Sequence, residues 1–120
     1  MVLITSNKAK QLLLLSYSGE VHPDQLEEVE EDVRVLATDL ASGFRVLVDL
    51  SDLTSMHIDC VKGIGKLMEI VDKGGVGMVV RVIPDPHKDI GFNILSIFHY
   101  TNRPQIITCK SMVEAGNYLG

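Results

Sequence analysis

The fold is decided by residues 44–82, which read FRVLVDLSDLTSMHIDCVKGIGKLMEIVDKGGVGMVVRV. Residues 44–50 and 76–82 are apolar on both faces, which is typical of central parallel strands. Between them, residues 60–73 have the period of an amphipathic helix, and Gly74-Gly75 ends it. Because a strand, a helix and a second strand in succession form a right-handed crossover, this stretch predicts a parallel βαβ unit.

The predicted helix 60–73 separates its residues cleanly on a helical wheel. We expect the apolar half to pack on the sheet and the charged half to face water. The apolar half contains Cys60, Ile64, Leu67, Met68, Ile70 and Val71. The charged half contains Lys62, Lys66, Glu69, Asp72 and Lys73.

Upstream of this unit, two strands at 2–5 and 11–17 are separated by a short polar turn and predict an antiparallel hairpin. Pro23 then suits the first turn of a helix that should run to about Ala41. Its apolar stripe is Leu26, Val29, Val33, Leu36 and Leu40. An acidic run outside that stripe is either a solvated face or a surface for a basic partner. It consists of Glu27, Glu28, Glu30, Glu31 and Asp32.

Downstream, Asp85-Pro86 predicts the start of a helix reaching Tyr100. A last strand follows at 105–109, and Ser111 should cap a final helix at 112–119. The order ββαβαβαβα predicts one α/β domain over residues 1–120, with a mixed sheet of about five strands, a parallel centre and about four helices.

The composition excludes several classes of function. The chain has 120 residues, a net charge of −5, 46% hydrophobic residues and no basic run, so a nucleic-acid partner is not expected. No apolar stretch is long enough to cross a bilayer and no signal peptide is visible, which indicates a cytoplasmic protein. Cys60 and Cys109 lack metal-ligand spacing, so we expect reduced thiols and neither a metal nor a cofactor.

Four short motifs resemble the STAS domains of bacterial anti-sigma-factor antagonists and of sulphate-transporter tails. They are LLSYSGEV at 14–21, VLVDLS at 46–51, Ile58-Asp59-Cys60 followed by Gly63 and Gly65, and SMVEA at 111–115. The resemblance spans nearly the whole chain. It implies the SpoIIAA-like α/β fold and a non-enzymatic regulatory module that contacts a protein partner.

This chain differs from the phosphoregulated antagonists at the residue that is phosphorylated in them. They carry a Ser directly after the Asp at this helix start, whereas this chain has Cys60, so the usual phosphorylation is not expected. Ser51, Thr54 and Ser55 in the preceding loop are alternative phosphate acceptors, or simply turn residues. The chain also resembles the lipid-associated STAS/SEC14-like branch, which generally lacks the Ser.

Cys60 has two interpretations. A helix N-terminus can activate a thiol, and His57 and Asp59 are close enough in sequence to suggest a nucleophilic group. However, Cys60 falls on the apolar half of its helix, so we expect it to pack in the core.

The segment 81–89 lies at the carboxyl end of an interior strand, where open α/β sheets bind ligands. Arg81, His87 and Lys88 would attract a phosphate or carboxylate there, while Asp85 and Asp89 offset their charge. A purely structural role is the alternative, with Asp85 capping the helix.

The predicted helix 86–100 is apolar over roughly 160°, more than a helix on one face of a sheet requires. The excess predicts deep burial, self-association, a protein partner or an apolar ligand. For a protein contact or homo-oligomer we expect a surface formed by Asp59, Cys60, Phe92, Leu95 and His99. The alternative is a lipid or acyl chain lying against Ile94 and Phe98, with Arg81, His87 or Lys88 holding its head group.

Overall fold

The computed structural model describes residues 1–85 and 99–120. Over these residues the chain forms seven strands and three helices. The elements are β1 Val2–Asn7, β2 Leu12–Tyr17, β3 Gly19–Val21, α1 Pro23–Thr38, β4 Arg45–Asp49, β5 Leu53–Met56, α2 Cys60–Lys73, β6 Met78–Val82, β7 Gln105–Cys109 and α3 Met112–Leu119.

The main sheet of the described residues has five strands in the order β1-β2-β4-β6-β7. β1 and β2 form the predicted antiparallel hairpin, and β2, β4, β6 and β7 run parallel to one another. The mixed sheet with a parallel centre is therefore confirmed. Since all the parallel strands end at the same edge, the segments that follow β2, β4 and β6 meet there.

The two faces of the sheet are covered differently. The larger core includes the buried residues of α1 and α2 and lies on one face. A smaller cluster on the other face joins α3 to the sheet, and it consists of Leu47, Val80, Val82, Cys109, Ala115 and Leu119. α3 packs mainly against β6 and β7. β1 and β2 therefore keep more exposed side chains on that face of the sheet.

The helix boundaries follow from their local chemistry. Pro23 is the first residue of α1, and the hydroxyl of Ser111 accepts a hydrogen bond from the Glu114 amide (3.1 Å) as the predicted cap of α3. α2 ends at Lys73 with Gly74 as its C-cap, and Gly75 has a φ of 90°, in the left-handed region that glycine favours. α1 stops at Thr38 rather than Ala41, although Leu40 just beyond it is still buried.

A second, two-stranded sheet corrects the sequence-based prediction. The loop that the sequence predicts before α2 contains a strand, β5, and this strand pairs in parallel with β3. Pairing across such a distance in the chain leaves no periodic pattern in strands of three and four residues. The amide of Gly19 also donates to the carbonyl of Asp52 (2.9 Å), which locks the two segments together.

The prediction for Asp72 was wrong. It was placed on the solvent-facing half of α2, yet it is only 5% exposed. Its carboxylate accepts hydrogen bonds from the Thr101 amide (3.3 Å), the Thr101 hydroxyl (2.8 Å) and the Asn102 amide (3.1 Å). The wheel placed the residue correctly on the helix, but a segment from elsewhere in the chain covers it.

The predicted helix 86–100 lies almost entirely outside the described residues. In the part of the chain that the structure describes, no helix has the length and apolar character needed to span a bilayer.

Candidate functional site

The N-termini of α1 and α2 are brought together by the small β3–β5 sheet. β3 leads directly into α1 and β5 into α2, and the amide of His57 donates to the carbonyl of Val21 (3.1 Å). As a result, the rings of His22 and His57 lie with their centroids 6.4 Å apart. This end of the molecule is the edge at which open α/β sheets present their sites.

Cys60 is the first residue of α2, and its side chain is completely buried. Its thiol donates to the carbonyl of Val21 (3.5 Å), and burial raises its pKa, as do the carboxylates of Asp59 and Asp24. A thiol with a raised pKa and no exposure is a poor nucleophile. The packing interpretation is confirmed, and the side chain faces the core rather than a partner.

His57, Asp59 and Cys60 do not form a nucleophilic group. Nδ1 of His57 lies 3.4 Å from Oδ2 of Asp59 and accepts a hydrogen bond from the Asp59 amide (3.2 Å). The contact that links His57 to Cys60 is between backbone atoms, with the Cys60 amide donating to the His57 carbonyl (2.9 Å). The thiol hypothesis therefore lacks the geometry that it requires.

The exposed part of this end is a small apolar centre with a polar rim. Ile58 is 77% exposed, the largest such fraction among the apolar residues of this end. Ile58 lies between His57 and Asp59 in the chain, and the ring of His57 neighbours that of His22. The side chains of Glu20, His22, His57 and Asp59 are at least half exposed. His22 pairs with Glu20 at 3.2 Å, as His57 pairs with Asp59. We call these five residues the Ile58 surface.

Residues 1–85 and 99–120 contain no group of three His, Cys, Asp or Glu side chains arranged to hold a metal ion. A cavity of about 450 Å³ lies between α1 and α2 and has Arg34, Lys66 and Glu69 in its lining. Its charged lining is unsuited to an acyl chain.

The loop hydroxyls are placed differently from one another. Ser51 is half-buried, and its amide donates to Oδ1 of Asp49 (2.9 Å), so Asp49 supplies the side-chain acceptor of this turn. Thr54 and Ser55 are exposed on β5. Modification of Ser51 or Ser55 stays a prediction.

The residues predicted to bind an anion or a lipid are only partly described. Arg81 is 1% exposed within β6, and its side chain hydrogen bonds with the hydroxyl of Tyr100. Nδ1 of His99 lies 2.9 Å from Oε1 of Glu69. The other predicted residues, His87, Lys88, Phe92, Ile94, Leu95 and Phe98, lie outside the described part of the chain. The lipid site and the apolar contact surface stay predictions.

Sequence reasoning missed His22, Ile58 and the β3–β5 pairing that brings them together. The usable signal was weak. The apolar residues at the two ends of Leu53–Met56 hint at one short extended segment. Nothing in the local pattern indicated that this segment pairs with β3.

Solved structures show which fold this arrangement belongs to. An uncharacterised protein of the DUF3478 family from Shewanella loihica PV-4, described as having a SpoIIAA-like fold, matches with a TM-score of 0.71. The match has 12% identity and covers 100% of this chain and 93% of that one. The chain has the SpoIIAA-like fold.

Two anti-sigma factor antagonists support the same assignment. Unphosphorylated SpoIIAA matches with a TM-score of 0.65 and 11% identity, covering 99% of this chain and 97% of that one. An antagonist from Mycobacterium paratuberculosis matches with a TM-score of 0.61 and 16% identity, covering 99% and 92%. No protein-family model and no curated protein matches the chain. The resemblance to STAS domains is thus confirmed at the level of the fold.

Proposed function

We propose that this chain is a non-enzymatic regulatory module that acts by contact with a protein partner, as an anti-sigma-factor antagonist does. The proposal is supported by the fold shared with two such antagonists and by the Ile58 surface. The observation that carries it is the exposure of Ile58. Ile58 lies between β5, which is paired with β3, and the start of α2. When a partner covers its side chain, apolar surface is removed from water, and this favours binding.

The rim of the Ile58 surface supports a contact role over catalysis. Glu20 and Asp59 each have an imidazole beside them, and all four side chains remain accessible to water. Exposed pairs contribute little to stability, and rim charges mainly set specificity and the rate of association. The surface therefore has the composition of a small interface, with an apolar centre and a polar edge.

The proposed module is not switched at the position that the phosphoregulated antagonists use. Cys60 stands there, and its buried thiol supports a structural role. The two candidate serines are Ser51 and Ser55. Ser55, on β5, is the exposed one and is closer to Ile58 in sequence. A phosphate on it would add negative charge beside Glu20, its register partner on β3, and weaken an acidic contact or strengthen a basic one.

The test compares two equally polar substitutions at exposed apolar positions. Ile58→Asp alters the proposed surface, and Val113→Asp is the matched control on α3, since Val113 is 83% exposed. Each variant and the original chain serve as bait in quantitative affinity capture from the native cell. We expect specific proteins to be retained by the original chain and by Val113→Asp, and lost with Ile58→Asp. Equal capture by both variants would contradict the proposed surface.

A further inference from the structure

β1 presents an open row of backbone groups at one edge of the described sheet. The Ser18 amide donates to the Met1 carbonyl (2.8 Å), and the Met1 amino group donates to the Ser18 carbonyl (2.6 Å). Such doubly bonded pairs alternate along an antiparallel ladder. Leu3, Thr5 and Asn7 therefore bond to β2, whereas Val2, Ile4 and Ser6 direct their N–H and C=O groups away from it.

These outward groups have no hydrogen-bond partner within residues 1–85 and 99–120. β1 also lacks the features that usually protect an edge strand. Val2–Asn7 contains no charged residue and no proline, and it pairs with β2 without a register shift. β7, at the other edge of the described sheet, begins directly after Pro104 and is followed by Lys110.

We propose that β1 of a second copy of this chain adds to this edge in the antiparallel direction, about a two-fold axis near Ile4. In that register Ile4 lies opposite Ile4 of the second copy, and Val2 lies opposite Ser6. Every outward N–H then meets an outward C=O, so the two strands exchange hydrogen bonds at all three positions. The result is one sheet that continues through both copies.

Two features favour a second copy over an unrelated strand. A second copy carries the same open edge, so one two-fold pairing about Ile4 gives partners to the outward groups of both copies at once. Because Val2–Asn7 is uncharged, the axis brings no like charges together within the strand. Leu3, 55% exposed on the face away from α1 and α2, gains a neighbour in Thr5 of the second copy.

The pairing involves one short strand, whereas a standard interface buries about 800 Å² on each partner. We therefore expect a weak dimer whose population depends on concentration. This inference does not rest on the proposed function, since β1 and the Ile58 surface are different parts of the molecule.

The test is sedimentation velocity on the full chain from about 10 μM to about 1 mM, a range suited to a weak dimer. We expect the apparent mass to rise from 13.2 kDa toward twice that value. Ser6→Pro removes one outward N–H without affecting the bonds to β2, as edge strands tolerate. Ser6→Ala keeps that N–H and is the control. Ser6→Pro should remain monomeric, and Ser6→Ala should behave as the original chain does.

Amide hydrogen exchange on the unaltered chain tests the same contact without a substitution. Raising the concentration should slow exchange at Val2, Ile4 and Ser6 and leave Leu3, Thr5 and Asn7 unchanged. A chain that stays monomeric throughout, a Ser6→Pro variant that dimerises normally, or protection without this alternation would each overturn the proposal.

Discussion

Asp72→Ala should be among the most destabilising substitutions of a charged residue in α2, because Asp72 is buried. The Asp72 carboxylate holds residues 101–102 against α2. It accepts hydrogen bonds from the amide and the hydroxyl of Thr101 and from the amide of Asn102. The Asn102 side chain also donates to the Asp72 carbonyl (3.0 Å), a bond that the substitution leaves intact. The same segment carries Tyr100, whose hydroxyl hydrogen bonds with Arg81 in the core.

The magnitude follows from those three lost hydrogen bonds. A bond to a charged acceptor contributes about 1.5–3 kcal/mol, but Thr101 and Asn102 are exposed, so water replaces part of each bond. Removing a buried charge also relieves its desolvation cost. We therefore expect the free energy of unfolding to fall by about 2–3 kcal/mol, which lowers Tm by roughly 10 °C in a domain of this size.

Urea unfolding followed by far-UV circular dichroism measures this change, with calorimetry for Tm. Thr101→Val deletes only the hydroxyl and should cost about 1 kcal/mol. Lys73→Ala, an exposed neighbour at the end of α2, should stay within about 0.5 kcal/mol of the original chain. If Asp72→Ala proved as stable as Lys73→Ala, the carboxylate would not be what holds this segment.

Three further predictions concern stability and reactivity. Burial raises the pKa of Tyr100 from 10.0 to about 12, and burial also raises the pKa of Tyr17. The folded state thus keeps both protons while the unfolded state loses them, so stability should be intact below pH 10 and fall above it. The loss should be about 1.4 kcal/mol per pH unit for each tyrosine, measured by urea unfolding at several pH values, and a flat profile from pH 10 to 12 would contradict it. Gly116→Ala should stabilise the chain by about 0.5–1 kcal/mol, because the added methyl group meets no atom within 4 Å in α3; a lower Tm would disprove this. Cys60 and Cys109 are buried with raised pKa values, so a thiol reagent should label them only as fast as the chain unfolds, and rapid labelling of the folded chain would show that one is accessible.

The helices and central strands were predictable because their signals are local. The period of α2 and the glycines after it indicate a helix whatever else the chain does, and Pro23 marks the start of α1 for the same reason. The doubly apolar stretches around β4 and β6 likewise indicate interior strands, and both lie in the middle of the described sheet.

The candidate site was only half predictable. The start of α2 at Cys60 and the burial of that residue follow from its helical period. The exposure of Ile58 does not, since an isoleucine beside a buried helix start would ordinarily be expected in the core. It is exposed because β5 and α2 are joined through a turn that the pairing with β3 holds at the surface.

By itself the sequence determined the order of the described helices and of the five strands of the main sheet, and it placed Cys60 on the apolar half of α2. These properties depend on periods of two and 3.6 residues, which each segment carries within itself. Only the tertiary structure decided that Asp72 is covered, that Arg81 is enclosed in the core, and that β1 has an open edge. Those outcomes depend on which distant segment packs against each residue, and local periodicity contains no information about that.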